Sequence, residues 1–161
     1  MLTIRGARST DLDAIWSILE PILRAGDTYT LPADMTREAA LSYWLSPEHE
    51  VFVAEDEGAI LGTYFLRANQ RGGGSHVANC GYMTAPAATG RGIASAMCVH
   101  SLDRARERNF RAMQFNFVVS GNDRAVRLWQ KHGFQIVGRL PNAFFHRQLG
   151  YTDAYVMYRE L

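Results

Sequence analysis

One stretch of the sequence constrains the fold more than any other: Thr84-Ala85-Pro86-Ala87-Ala88-Thr89-Gly90-Arg91-Gly92-Ile93-Ala94-Ser95-Ala96-Met97. The segment before it, His76 to Thr84, alternates like a strand. Pro86 then ends it, because proline can neither donate to a ladder nor continue one. Two glycines one residue apart follow, and a helix is expected from Gly92 to about Arg108. A strand that turns into a helix through glycine leaves backbone N–H groups free at the helix start, with no side chain over them. Orphan donors and the helix dipole both favour an anion there, so the turn reads as a phosphate site. Arg91 adds a cation to it. The rival phosphate motifs do not fit: a dinucleotide fingerprint needs glycine where Ser95 stands, and a P-loop needs Gly-Lys-Ser/Thr.

The remaining elements place this turn in a sheet. Leu2 to Arg5 reads as a short strand. Ser9 or Thr10, followed by Asp11 and Asp13, starts a helix with Ile15, Ile18, Leu19 and Ile22 on one face. Pro21 predicts a kink or early stop in it. After a loop from Ala25 to Pro32, Thr36 caps a second helix carrying Ala39, Leu41, Tyr43 and Trp44. Val51 to Ala54 and Ile60 to Leu66 are strands about the turn Glu55 to Gly58, and Arg71 to Ser75 is a flexible turn. Ala112 to Val119 is a strand, and Asn122 to His132 a helix closed by Gly133. Gln135 to Arg139 and Ala154 to Tyr158 form a final antiparallel pair joined by a long loop through Pro141 and Gly150. A meander followed by a βαβ crossover gives a mixed sheet with helices on its faces, an α+β class. With no repeat, low-complexity segment or linker, residues 1–161 are expected to form a single domain.

Composition narrows the partners. The chain is 47% hydrophobic and 20% charged, with a net charge of +1, which supplies no general attraction to nucleic acid or anionic membrane. No apolar run approaches the roughly 18 residues of a membrane span, and the N-terminus lacks a signal pattern, so the expected compartment is cytoplasmic. Cys80 and Cys98 lack metal-ligand spacing; no metal is expected, and both read as reduced, buried thiols.

A second motif, Asn122-Asp123-Arg124-Ala125-Val126-Arg127-Leu128-Trp129-Gln130-Lys131-His132-Gly133-Phe134, closely resembles the asparagine-to-Gly-Phe helix of GNAT N-acetyltransferases. The turn from Thr84 to Met97 resembles the pyrophosphate-binding turn of that family, and the two lie in the family's order, one strand apart. The element order matches over nearly the whole chain. The resemblance implies a seven-stranded, mostly antiparallel sheet flanked by about four helices and splayed between strands 4 and 5. It implies acetyl-CoA as cosubstrate and transfer of an acetyl group to an amine. The amides of Arg91, Gly92 and Ala94, with Gly90, Ser95 and Thr89 beside them, would hold the pyrophosphate. The strand edge at Met83 and Thr84 would pair with the pantetheine arm as an added strand, and Asn122 and Trp129 would flank it. A homodimer is implied by the same resemblance. Two positions depart from the family pattern. Thr89 replaces a usual Gln or Arg, and Trp129 stands where many relatives have a Tyr proposed to protonate the leaving thiolate, which an indole N–H cannot do.

The chemistry asks for a neutral amine and a donor for the developing oxyanion. The amide at or near Tyr82 is the candidate donor. The strand holding it has no carboxylate where many relatives place a Glu base, but Asn79 lies on it and Asn116 on the next strand, where a buried asparagine demands partners. Asn79, Tyr82, Asn116 and Asn122 together resemble the yeast acetyltransferases that detoxify proline analogues. That narrower likeness implies a small amino or imino acid as acceptor, oriented by Asn79 and Asn116, with direct transfer in a ternary complex. Thr28, Tyr29 and Thr30 in the first loop and His146 in the last would wall the acceptor pocket, while His76 reads as a surface histidine. Acetylation of a protein N-terminus or lysine, and a non-catalytic acyl-CoA-binding module, are the alternatives the sequence leaves open.

Overall fold

A computed structural model describes residues 1–161. The strands are β1 (Thr3–Gly6), β2 (Glu50–Asp56), β3 (Ala59–Ala68), β4 (Val77–Thr84), β5 (Ala112–Val119), β6 (Gln135–His146) and β7 (Gly150–Glu160). The helices are α1 (Leu12–Ala25), α2 (Arg37–Trp44), α3 (Ile93–Glu107) and α4 (Asp123–Lys131). All seven strands form one sheet in the order β1-β2-β3-β4-β5-β7-β6. Every neighbouring pair is antiparallel except β4 and β5. Those two are parallel, and their pairing is confined to Val77↔Ala112 and Ala78↔Met113. Beyond Ala78 they part, which is the splay that the resemblance implies.

Each face of the sheet buries its own core. On one side α1 and α2 cover Val53, Phe65 and Met83, with Ile15, Ile18, Leu19, Leu23 and Trp44 packed onto them. Trp44 is fully buried and donates its indole N–H to Thr63 at 3.0 Å, which in turn donates to the Phe52 carbonyl. On the other side α3 and α4 cover Tyr64, Leu66, Ala78, Cys80 and Phe115 with Met97, Cys98, Leu102 and Trp129. Alternation along β4 sends Ala78, Cys80 and Tyr82 to the α3 side and Gly81 and Met83 to the α1 side, as a strand must.

Three local expectations change. α1 runs through Pro21 to Ala25 and ends on Gly26 at φ 64°, whose N–H returns to the Ile22 carbonyl; the proline costs one rung and does not stop a helix held by a buried apolar face. The helix is preceded by a 3-10 turn at Ser9–Asp11. Its capping acceptor is Asp11, which takes the Arg8 N–H at 2.7 Å. The long loop through Pro141 is instead strand: β6 and β7 form a hairpin whose tip is 147–149, with register shifts between Ile136/Gly138 and Leu140/Phe144. Pro141 is tolerated because it sits in such an irregularity on an edge strand, where a missing N–H breaks no ladder.

Asp11 ties β1 to α1. Arg5 grips it through both terminal nitrogens, at 2.8 and 3.0 Å, and also donates to Glu55 at 2.7 Å. The Arg5 contact chiefly holds the Asp11 carboxyl below its ordinary range, against the opposing effect of burial. A depressed folded-state pKa contributes stability that is present above the unfolded value and lost as pH falls through the folded one. Asp11→Asn is therefore expected to cost about 2 kcal/mol at pH 7. Urea denaturation should show the gap between the two proteins closing below about pH 4, where the unfolded carboxyl protonates.

Candidate active site

The departure of β4 from β5 opens a cleft of about 980 Å³. Strand pairing dictates what faces it. Ala85 donates to Leu61 and Asn69 to Val77, so the odd residues of β4 spend their backbone groups on β3. Cys80, Tyr82 and Thr84 accordingly turn their N–H and C=O groups toward the gap. Met83 does not: its backbone pairs with Thr63 and its side chain is buried in the α1 core. The strand edge offered to a ligand is therefore Cys80, Tyr82 and Thr84, in place of the expected Met83 and Thr84.

At the open end of the cleft stands the glycine turn. Pro86–Ala88 forms a single 3-10 turn, and Gly90 and Gly92 adopt φ of 86° and 80°, left-handed values that side chains rarely accept. The N–H groups of Gly90, Gly92, Ile93, Ala94 and Ser95 have no acceptor in the protein, and the first helical bond is Ala96 to the Gly92 carbonyl. This is an anion cradle built from backbone. Arg91 is not part of it: its N–H is spent on the Ala88 carbonyl, and its side chain reaches away to Asp56 at 3.6 Å. The cations that line this end of the cleft are Arg124, Arg127 and Lys131, on one face of α4 at i, i+3 and i+7. An added Cβ at Gly90 would meet the Arg124 guanidinium at 3.3 Å. Sequence reading missed this arginine face, although the spacing was there to be read. It also missed the Ile93 amide, hidden behind a side chain that belongs to the core.

Asn122 opens α4, its Oδ1 accepting the Ala125 N–H at 3.3 Å, and it lines the cleft where it caps. Ser95 bonds His132 at 2.7 Å across from α3 to the end of α4, which joins the two helices that flank the cradle. Trp129 is only 9% exposed and packs against Tyr82 and Phe115, both at 4.9 Å between ring centroids. It acts as a wedge between the parted strands. Tyr82 turns its hydroxyl away to Ser101 at 2.6 Å, and burial raises its pKa well above the ordinary phenol value. Neither ring supplies an acid to the cleft.

The narrow end, where the strands part, is polar. Beyond Ala78–Met113 the Gln114 carbonyl accepts the side-chain amide of Asn79 at 2.9 Å, so Asn79 serves as a last rung. Asn116 is exposed, where sequence reasoning expects a buried residue. It sits in the irregularity between Phe115 and Val118, donating to Asn69 at 2.6 Å and accepting from Gln114. Arg67, directly opposite Asn79 in register, donates to its Oδ1 at 3.4 Å and lines the cleft. From the first loop, Thr28, Tyr29 and Thr30 also line it, and the Tyr29 hydroxyl donates to the Tyr82 carbonyl at 2.7 Å. Burial raises the Tyr29 pKa, so it stays a donor. Asp27 is the sole carboxylate in the lining. His146 does not reach the cleft; its Nδ1 accepts from Gln148 and Leu149 and closes the β6–β7 hairpin. Cys80 lies in the lining, but burial pushes its thiol up to about 12, which leaves no nucleophile. No group of three or more metal-ligating side chains occurs, and no helix is long and apolar enough to cross a membrane.

Comparison with known proteins meets this geometry at the cradle. The model of the acetyltransferase (GNAT) family matches residues 12–134, from the start of α1 through the Gly-Phe pair after α4. The chain is a GNAT acetyltransferase. A GCN5-related N-acetyltransferase from Kribbella flavida is 41% identical, with a TM-score of 0.95, over 99% of this chain and 98% of that one. The N-acetyltransferase aca1 of Schizosaccharomyces pombe is 26% identical over 151 residues, covering 83% of this chain and 72% of that protein. A phosphinothricin acetyltransferase from Sinorhizobium meliloti, solved with acetyl-CoA, shares the fold at a TM-score of 0.86 and 24% identity, over 99% of this chain and 88% of that one. The enzyme is an acetyl-CoA-dependent N-acyltransferase, and the unpaired amides from Gly90 to Ser95 suit the pyrophosphate of that cosubstrate.

Two outcomes test this site. Gly90→Ala places a methyl against Arg124 at a left-handed φ and is expected to weaken coenzyme A binding about tenfold by calorimetry, with a stability loss of about 1 kcal/mol. Trp129→Phe keeps most of the wedge and should leave kcat within a few-fold of wild type. Trp129→Ala should lose about 3 kcal/mol or more of stability and so unfold at a lower temperature.

Proposed function

We propose that the enzyme transfers the acetyl group of acetyl-CoA directly to the amine of a small amino-acid-like substrate, within a ternary complex. The observation that carries this reading is the pair of amides Asn79 and Asn116 lining the narrow end of the cleft, held by Gln114 and Asn69 behind them, beside Thr28, Tyr29 and Thr30. Such a lining orients a compact polar molecule. The phosphinothricin acetyltransferase among the structural neighbours acts, by its name, on phosphinothricin.

Acetyl-CoA supplies an activated thioester; the protein supplies placement and polarity. The N–H groups of Cys80, Tyr82 and Thr84, turned toward the gap, are the donors available to the carbonyl oxygen, with Tyr82 the best placed because Tyr29 fixes that residue through its carbonyl. Asn79 and Asn116 orient the acceptor, and Asn122 borders the donor. No histidine lines the cleft, and its one carboxylate, Asp27, sits on an exposed loop. The amine therefore reaches its neutral form largely through its own ionisation and water. Below the amine's pKa, kcat/KM should rise about tenfold per pH unit. Asn116→Ala should lower kcat/KM by about tenfold or more while the affinity for coenzyme A stays unchanged. Turnover confined to peptides would favour protein acetylation, and an unaltered rate in the variant would remove Asn116 from the site.

The reading includes a homodimer. β6 is an edge strand of twelve residues, and Val137, Phe145, Leu149 and Tyr151 on it and its hairpin are each more than half exposed. Long apolar edges invite a second copy. Sedimentation equilibrium should give a dimer for the wild type and a monomer for Val137→Lys combined with Phe145→Glu.

A further inference from the structure

Four arginines are half-buried: Arg5, Arg67, Arg104 and Arg159. Arg5 is held by Asp11 and Glu55, and Arg104 by Glu50 and Glu107. Arg159 donates to the His132 carbonyl at the C-terminal end of α4, where the helix dipole favours a cation. Arg67 alone has no carboxylate and no helix end. Its one bond in the protein is the long Nε contact to Asn79, at 3.4 Å, which leaves both terminal nitrogens with four N–H donors unspent. Its surroundings do not neutralise it. His49 is stacked on Phe65 at 3.9 Å, and burial holds it toward the neutral form. Glu48 pairs with Arg71, at 3.1 Å. Asp27, the only acidic group in the lining, makes no ion pair with it. A guanidinium drawn partly out of water without an anion is costly, so a partner is expected in the working state of the enzyme.

That partner is not the pyrophosphate. Arg67 stands opposite Asn79 near the fork of the strands. The amide cradle begins beyond Thr84, five residues further along β4, about 17 Å away at the rise of an extended strand. The cradle also has its own cations in Arg124, Arg127 and Lys131. Arg67 shares its face of the sheet with Phe65 and with the α1–α2 core, the side from which Thr28, Tyr29 and Thr30 wall the cleft. It is the one cation on the acceptor side.

We infer that Arg67, steadied by Asn79, is the anchor for a carboxylate on the acceptor, and that the enzyme selects amines bearing that group over amines that lack it. Two parallel N–H donors from one guanidinium match the two oxygens of a carboxylate, which fixes the acceptor's orientation as well as its charge. Asn79, bonded at once to Arg67 and to the Gln114 carbonyl, is a positioning residue: it fixes where the guanidinium plane lies. The inference rests on the small-acceptor reading above and extends it to a chemical class.

The experiment uses the full chain with acetyl-CoA and paired acceptors: free α-amino and α-imino acids, their carboxamides, and the corresponding decarboxylated amines. Wild type should prefer each acid over its carboxamide by on the order of 10- to 100-fold in kcat/KM. Arg67→Met keeps the length of the stem without the charge. It should remove that preference by raising KM for the acid, with KM for acetyl-CoA unchanged, and Arg67→Lys should restore part of it. Calorimetric titration of the acids into the coenzyme A complex gives a readout without turnover, with binding expected in wild type and lost in Arg67→Met. Equal use of acids and carboxamides by wild type leaves the small-amine reading standing and overturns this one, as does an Arg67→Met enzyme that still prefers the acid. If no small amine is acetylated, the proposed function falls. The titration then decides separately, and the inference is overturned if the acids do not bind or bind Arg67→Met equally.

Discussion

The parting of β4 from β5 is the constraint on which the rest of the molecule depends. A sheet interior is expected to pair its backbone groups, and two neighbouring strands that separate after two residues leave a row of donors and acceptors without partners. The protein meets that deficit piecewise. Asn79 lends a side-chain amide to the Gln114 carbonyl, and the Tyr29 hydroxyl serves the Tyr82 carbonyl. An aromatic group formed by Tyr82, Phe115, Trp129 and Phe134 fills the space that a continuing ladder would have closed. What remains unpaired along Cys80, Tyr82 and Thr84 is the binding surface. The cleft is thus a property of the sheet itself, and the loops only wall it.

Charge in the cleft is divided between two ends by different means. At the open end the attraction comes from backbone amides held by left-handed glycines and from an arginine face on α4. At the narrow end it comes from one side chain among neutral amides. The first arrangement suits a polyanion, because many weak donors can meet many oxygens. The second suits a single small anion, because one rigid guanidinium imposes one geometry. Arg91 shows how easily the two are confused. It sits inside the glycine motif, yet its side chain serves Asp56 on the far side of the turn.

What could be read from the sequence was what local chemistry decides. The strand stop at Pro86, the glycine turn, the Thr36 and Asn122 caps and the Gly133 stop all depend on residues within one turn of each other, and each lies where it was expected. The family motifs placed the two cradle helices for the same reason. The misreadings concern tertiary context. Pro21 stays inside a helix because Ile18, Leu19 and Leu23 are buried around it. Pro141 stays inside a strand because that strand has no outer neighbour. Asn116 was read as a buried polar group from its apolar neighbours Phe115 and Phe117, but an irregularity in pairing with β7 brings it to the surface. Arg67 gave no local signal at all, since a charge at the end of the apolar run of β3 looks like an ordinary strand end; only its lack of a counter-ion marks it.

Trp129 and Tyr82 settle how the two sides of the sheet are kept in register. An indole in the wedge gives up the proton donor that many relatives have, and in exchange fills the gap between strands more completely than a phenol would. Tyr82 is fixed from both faces: its hydroxyl is bound by Ser101 on α3, and its carbonyl by Tyr29 from the loop after α1. A shift of either layer would move the same residue. The Tyr82 N–H that faces the cleft belongs to the preceding peptide, so it is held through the Tyr82 residue, which Ser101 fixes at its hydroxyl and Tyr29 at its carbonyl. An enzyme without an evident acid or base in its cleft has to rely on this kind of preorganisation, because donors already in place need no reorganisation as charge develops.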